Sequence, residues 1–171
     1  MPEPNGEIDV LATVPSGIPE RAAAAMPRVR MAAIIVEDDR LLLVRHSKAD
    51  RSYWLLPGGG LEFGESMEAA LRRELMEEAN LEIRVRDLVM ANDTIDPNGS
   101  RHVINLYFTA EVVSGELRCG DDHRLEEVRF VPLSEVPFLH FYPDTRPALL
   151  PAIQAGFPGR AAYLGNLWKE Q

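Results

Sequence analysis

Apolar residues occur along this chain in short runs divided by polar turns, and the spacing within each run predicts its element. From Arg28 to Glu37 the run VRMAAIIVE is dense in small and branched apolar side chains. Asp38-Asp39 then marks a turn, and LLLVRH over Leu41 to His46 is a second apolar run. Together they predict a strand, a hairpin and a strand. Trp54 to Pro57 leads into a glycine-rich stretch, with Trp54 and Leu56 as core or loop-anchoring positions. Beyond it Glu82 to Val89 alternates polar and apolar residues as a half-buried strand does, and His102 to Val113 returns as a long strand across a turn-rich tip at Thr94 to Gly99. Gly115 to Asp122 reads as a loop, Glu127 to Val131 as a short strand, and Pro132 to Val136 as a short turn or helix. A last helix is expected over Arg146 to Ala155, capped by Asp144 or Thr145, with Pro147 in its first turn and Pro151 bending it or delaying its start. Tyr163 to Trp168 is read as returning to a sheet edge. The order β-β-helix-β-β-β-helix predicts a mixed sheet between helices, an α/β class.

The stretch from Gly59 to Leu81 breaks the ordinary pattern. At about 100° per residue from Met67, the period of an α-helix, Ala70, Leu71 and Leu75 share the face of Met67, and that face should be core. Glu74 and Glu78 fall within the same arc, and Glu77 lies at its edge. Ala69, Arg72 and Met76 occupy the opposite face, so turning the helix to expose the glutamates would also expose Leu71 and hide an arginine. An inward carboxylate is unfavourable unless it is paired, hydrogen-bonded or bound to metal, and like charges four residues apart repel. A divalent cation resolves both problems. Oxygen ligands suit Mg²⁺ or Mn²⁺, whereas zinc draws on Cys or His.

The order Gly59, Glu65, Arg73, Glu74, Leu75, Glu77, Glu78, Leu81 resembles the Nudix box, G-x5-E-x7-R-E-U-x-E-E-x-G-U with U aliphatic. One fixed place departs, where Asn80 stands for the final Gly. Asn is the residue that best tolerates the left-handed conformation used after a helix end. The resemblance implies a loop-helix-loop motif in an α/β/α sandwich with a mixed β-sheet, with Glu74, Glu77 and Glu78 binding metal and helping to activate water. It also implies that Glu65 and Arg73 pair to hold the loop on the helix, and that a backbone carbonyl from Gly58 or Gly59 completes the metal shell. Weaker similarity extends over roughly Val29 to Leu139. Pro57-Gly58-Gly59-Gly60 can also be read as a phosphate cradle, but no Lys-Ser/Thr follows as a P-loop requires.

Composition narrows the rest. The chain has 171 residues and a formal net charge of −9. That charge argues against nucleic-acid polymers and anionic membranes as partners, and an anionic substrate would need local neutralisation. Cys119 is the single cysteine, which leaves no disulfide framework or zinc-cluster spacing and points to a reducing cytoplasm. No apolar run approaches a membrane span. Residues 1–27, rich in Pro and Gly, are expected to form an extended arm, or to pack on a second copy in a homodimer. Residues 28–171 are expected to form a single Nudix-like domain.

The function that the resemblance implies is metal-dependent hydrolysis of the pyrophosphate linkage in a nucleoside diphosphate derivative: ADP-ribose, a nucleotide sugar, a dinucleoside polyphosphate or an NTP. Pro97 lies about one place beyond the proline that follows the box in ADP-ribose-cleaving relatives, and no tyrosine stands between the box and Tyr107 to match a diadenosine-polyphosphate signature. Arg45 and His46 are within reach of a phosphate or are solvated at a strand end. His102, His123 and His140 read as structural or solvated, and Glu126 and Glu127 as candidates for a further metal carboxylate. The competing class is a nucleotide-sensing module without catalysis, and the intact set of three glutamates argues against it.

Overall fold

The computed structural model describes residues 26–48 and 51–169. The expected arm over residues 1–27 therefore lies outside the described residues except for Met26 and Pro27. In chain order the elements are β1 (Arg28–Ile34), β2 (Val36–Glu37), β3 (Arg40–Lys48), β4 (Arg51–Leu55), α1 (Met67–Ala79), β5 (Leu81–Ile95), β6 (His102–Gly115) and β7 (Leu125–Pro132). A single 3-10 turn over Val136–Phe138, then α2 (Arg146–Gln154) and β8 (Ala162–Asn166), complete the fold.

This is a mixed α/β fold, but the strands divide into two four-stranded sheets where the sequence suggested one. The first has the order β1-β6-β5-β8; in the second, β3 pairs antiparallel with β2, β4 and β7. Within the first sheet β5 and β6 form the expected long antiparallel hairpin, while β1 runs parallel to β6 and β8 parallel to β5. The return of Tyr163 to a sheet edge is thus observed.

The apolar run of β1 has no alternation because both of its faces are covered, as in strands buried between layers. Ala32 and Ile34 join a cluster with Leu41, Leu43, Met90, Tyr107, Val131 and Leu149 of α2. Met31, Ala33 and Ile35 join another with Leu42, Ala110 and the Ala70, Leu71, Leu75 and Ala79 face of α1. The two helices therefore cover opposite faces of β1. Asp38 and Asp39 both adopt positive φ, 47° and 58°, which matches the two-residue turn joining β2 to β3.

Four local expectations change. Met67 is exposed, as are Glu68 and Ala69 in the same first turn of α1. Arg51–Leu55 is a strand that lacks a clean apolar alternation of its own and is held by pairing with β3. β5 continues six residues beyond Val89, to Ile95, because β6 and β8 pair along its far half. Neither proposed residue caps α2: Thr145 stands at the N-cap without a side-chain bond, and Asp144 binds Arg146 and Lys169 instead. Pro151 sits inside that helix. Among the described residues no helix is long and apolar enough to cross a membrane.

Candidate active site

Helix α1 is fixed at both ends by its own sequence. Ser66, in an extended conformation, accepts a hydrogen bond from the Ala69 amide at 3.1 Å, an N-cap. At the other end Asn80 takes the left-handed conformation, φ 56° and ψ 36°, and returns its amide to the carbonyls of Leu75 and Met76. Between these caps the helix presses Leu71 and Leu75 into the core and carries Glu74 and Glu78 inward with them. Their side chains are 15% and 11% exposed, whereas that of Glu77 is 62% exposed.

The loop before α1 is built around these carboxylates. A Cβ added at Gly59 would lie 2.1 Å from the Glu74 carboxyl carbon, so a larger residue there would push that carboxylate out of its place. Gly58 has φ 136°, and a Cβ there would meet the Met31 carbonyl at 2.2 Å. The Gly58 amide donates to Glu78 Oε2 at 2.8 Å. Arg73 reaches the same loop from the helix: its guanidinium donates to Glu65 at 2.8 Å, to the Gly60 carbonyl at 3.1 Å and to Glu74 at 2.7 Å. These bonds to two carboxylates raise its pKa further. Burial pushes the Glu74 carboxyl above its ordinary range; the Arg73 hydrogen bond opposes that shift and the charge of Glu78 adds to it.

Two further residues meet this site: Arg30, which the sequence reading did not single out, and His46, which it placed within reach of a phosphate or in solvent. Arg30, the only charge inside the β1 apolar run, donates to the carbonyls of Leu56 and Gly58 at 2.8 and 2.9 Å, while the Gly59 carbonyl accepts from the Met31 amide. His46 turns its Nε2 to within 3.5 Å of Glu78 Oε1; that nitrogen is buried and has no hydrogen-bond partner among the described residues. For Arg30 the clue was its position in an apolar strand.

Other candidates are engaged elsewhere. Glu126 accepts from Arg45 at 2.9 Å and Ser52 at 2.8 Å; Glu127 pairs with Arg45 at 3.1 Å and Arg129 at 3.0 Å. Arg45 and Arg129 also stack on the buried Trp54 ring. His102 pairs with Asp93 at 2.8 Å, His140 meets the Ser52 carbonyl, and His123 is exposed. Pro97 is an exposed turn residue. Among the described residues no three acidic, histidine or cysteine side chains close on one point.

The NUDIX domain family matches residues 26–152. The chain belongs to that family. Its membership makes it a Nudix hydrolase, an enzyme acting on phosphoric anhydrides. It is 36% identical over 116 residues, 67% of this chain and 68% of the relative, to an ADP-ribose pyrophosphatase of Methanocaldococcus jannaschii. It is 30% identical over 105 residues to the NAD-capped RNA hydrolase NudC of Edwardsiella ictaluri, but the match spans only 39% of that longer protein. Among solved structures, a NUDIX hydrolase from Nitrosomonas europaea superposes with a TM-score of 0.69 at 23% identity over 80% of this chain and 93% of that one, a likeness of fold.

Proposed function

We propose that this Nudix hydrolase cleaves the diphosphate of a nucleoside diphosphate sugar of the ADP-ribose class, in a reaction that depends on Mg²⁺ or Mn²⁺ held by Glu74, Glu77 and Glu78. The observation that carries the reading is the inward Glu74 and Glu78 pair against the Gly58–Gly59 turn, whose like charges act on one another. The donor set is oxygen only, which fits a hard divalent ion, and a cation would relieve that repulsion. When bound, it would neutralise the diphosphate and lower the pKa of the attacking water.

The chain's own groups have separable tasks. Gly58 gives an amide to Glu78 and so orients its carboxyl group toward the loop. Arg73 ties Glu65 and Glu74 to that loop, while exposed Glu77 lies one residue from Glu78 at the edge of the same face. Gly58 also offers its carbonyl; Arg30 donates to one side of it, and a carbonyl oxygen has a second lone pair. The resemblance to the archaeal ADP-ribose pyrophosphatase supports the substrate class. The test is product analysis across ADP-ribose, nucleotide sugars, dinucleoside polyphosphates, NTPs and NAD-capped RNA, with Mg²⁺, Mn²⁺ or chelator. ADP-ribose yielding AMP and ribose 5-phosphate only with metal is the expected result. Preferred cleavage of another member would move the substrate class, and turnover in chelator would remove the metal.

A further inference from the structure

In a chain of net charge −9, one cavity is lined by two guanidinium groups and no carboxylate. It has a volume of about 50 Å³ and lies between β1, β5 and β6 on one side and β4 with Tyr142 and Pro143 on the other. Arg30 and Arg101 supply the charge; Tyr142, Thr94 and Asn105 supply the polar groups. Such a volume holds a small polar group together with a water or two.

The polar groups are directed by a buried hydrogen-bond chain. Tyr107 donates to the Asn92 carboxamide oxygen at 2.6 Å, and the amide nitrogens of Asn92 and Asn105 donate to Thr94 Oγ1 at 3.4 and 3.0 Å. Thr94 already accepts twice, so its own hydroxyl proton remains to be given. Tyr142 is only 8% exposed, and its hydroxyl is buried without a hydrogen-bond partner among the described residues. Burial pushes that hydroxyl's pKa up, and the Arg101 charge pulls against the shift. An unpaired buried hydroxyl is unfavourable unless something else completes it.

Two contacts connect this cavity to the glutamates. Arg30 lines it while holding the Gly58 carbonyl. Tyr53 also lines it, packing edge-on to Tyr142 on one side and to His46, which faces Glu78, on the other. We infer that this cavity is a phosphate subsite, in which Arg30, Arg101, Tyr142 and Thr94 take the oxygens of a phosphoryl group of the substrate or of a phosphate-ester product. Two guanidinium groups and no carboxylate around one small cavity suit a phosphoryl group better than a neutral nucleoside. This deepens the proposed function by naming what one end of the substrate must carry, and it rests on that reading only for the identity of the substrate.

Calorimetric titration of the full chain in chelator, with AMP, ribose 5-phosphate, inorganic phosphate and adenosine as probes, tests it without turnover. The phosphate-bearing probes should bind at least about tenfold more tightly than adenosine, and Arg101→Gln should weaken them by about tenfold, as loss of a charge-assisted contact does. Tyr142→Phe should weaken them several-fold with an unchanged melting point, since it removes only a hydroxyl. Equal binding of inorganic phosphate and both esters supports a site that reads phosphate alone, and preference for one ester assigns that half of the substrate to it. Adenosine matching AMP, or phosphate binding that neither variant moves, overturns the inference. A wild-type protein that binds these probes yet hydrolyses no diphosphate would instead sink the proposed function.

Discussion

Two pairs of glutamates in this molecule meet opposite fates. Glu126 and Glu127 on β7 are partly exposed, and each is matched by arginine: Arg45 reaches both, and Arg129 takes the free side of Glu127. Glu74 and Glu78 on α1 are deeper, yet only Glu74 meets a guanidinium, that of Arg73; Glu78 has a backbone amide and a histidine 3.5 Å away. The better-solvated pair has more counter-charge than the buried one. Stability alone favours the reverse, because an uncompensated charge is most unfavourable where water is excluded. Negative charge left unmatched at depth is what the proposed metal ion would relieve.

The largest effect that sharpens this contrast is expected from Glu78→Gln. Turnover should fall by more than the roughly 10–100-fold typical of losing an outer-shell partner of a metal. The metal-free melting point should stay level or rise slightly as repulsion with Glu74 is relieved, and Mg²⁺ should raise the melting point of wild type more than that of the variant. Paired melts with and without Mg²⁺ check this. Strong metal-free destabilisation with near-normal turnover would make Glu78 a structural residue and dissolve the contrast.

Arg73→Ala removes the shared guanidinium and leaves Glu65 and Glu74 facing each other across the loop. A loss of about 2 kcal/mol is expected from its charge-assisted bonds, with activity falling alongside. Denaturant melts and turnover measured together decide it; unchanged stability with abolished turnover would place Arg73 on the substrate.

A third carboxylate calibrates the scale. Asp144 is held down to about 2 by its hydrogen bonds to Arg146, with Lys169 adding and burial opposing. A lowered carboxylate pKa stabilises the fold at pH values above its unfolded pKa, and that contribution disappears as pH falls through the folded pKa. Asp144→Asn should therefore lose about 1–2 kcal/mol at neutral pH, and the gap from wild type should close between about pH 4 and pH 2. Melts across that range would show a constant gap if the pairing were irrelevant.

The smallest effect is expected at the matched pair. Glu126→Gln and Glu127→Gln should each change turnover by less than tenfold, about 1.4 kcal/mol of barrier, and stability by about 0.5 kcal/mol or less. Larger losses of turnover in steady-state assays would move β7 into the catalytic centre and erase the difference between the two pairs.

Much of the candidate site was legible in the sequence because it is local. The 3.6-residue period of α1 put Glu74 and Glu78 on the face of Leu71 and Leu75, and the left-handed Asn80 followed from its side-chain chemistry. The exposed Met67 was missed because periodicity says which residues share a face and cannot say how far the covering sheet extends. Thr145 was misread as a cap because Ser, Thr and Asp make the same short-range offers whether or not a competing partner takes them. Asp144 had one in Arg146, and Thr145 adopts helical φ and ψ.

By itself the sequence determined those features whose causes span one or two helical turns: the spacing of Glu65, Arg73, Glu74, Glu77 and Glu78, and the helix exit. Tertiary structure alone decided the parallel pairing of β1 with β6, the division into two sheets and the existence of β4, since each depends on which distant edges compete successfully for the same backbone groups. It also decided that Arg30, Arg101 and Tyr142 line one cavity. Nothing in their local surroundings encodes that meeting; it arises because burying the apolar faces of several elements at once leaves a single arrangement, and the polar residues are carried to wherever those faces take them.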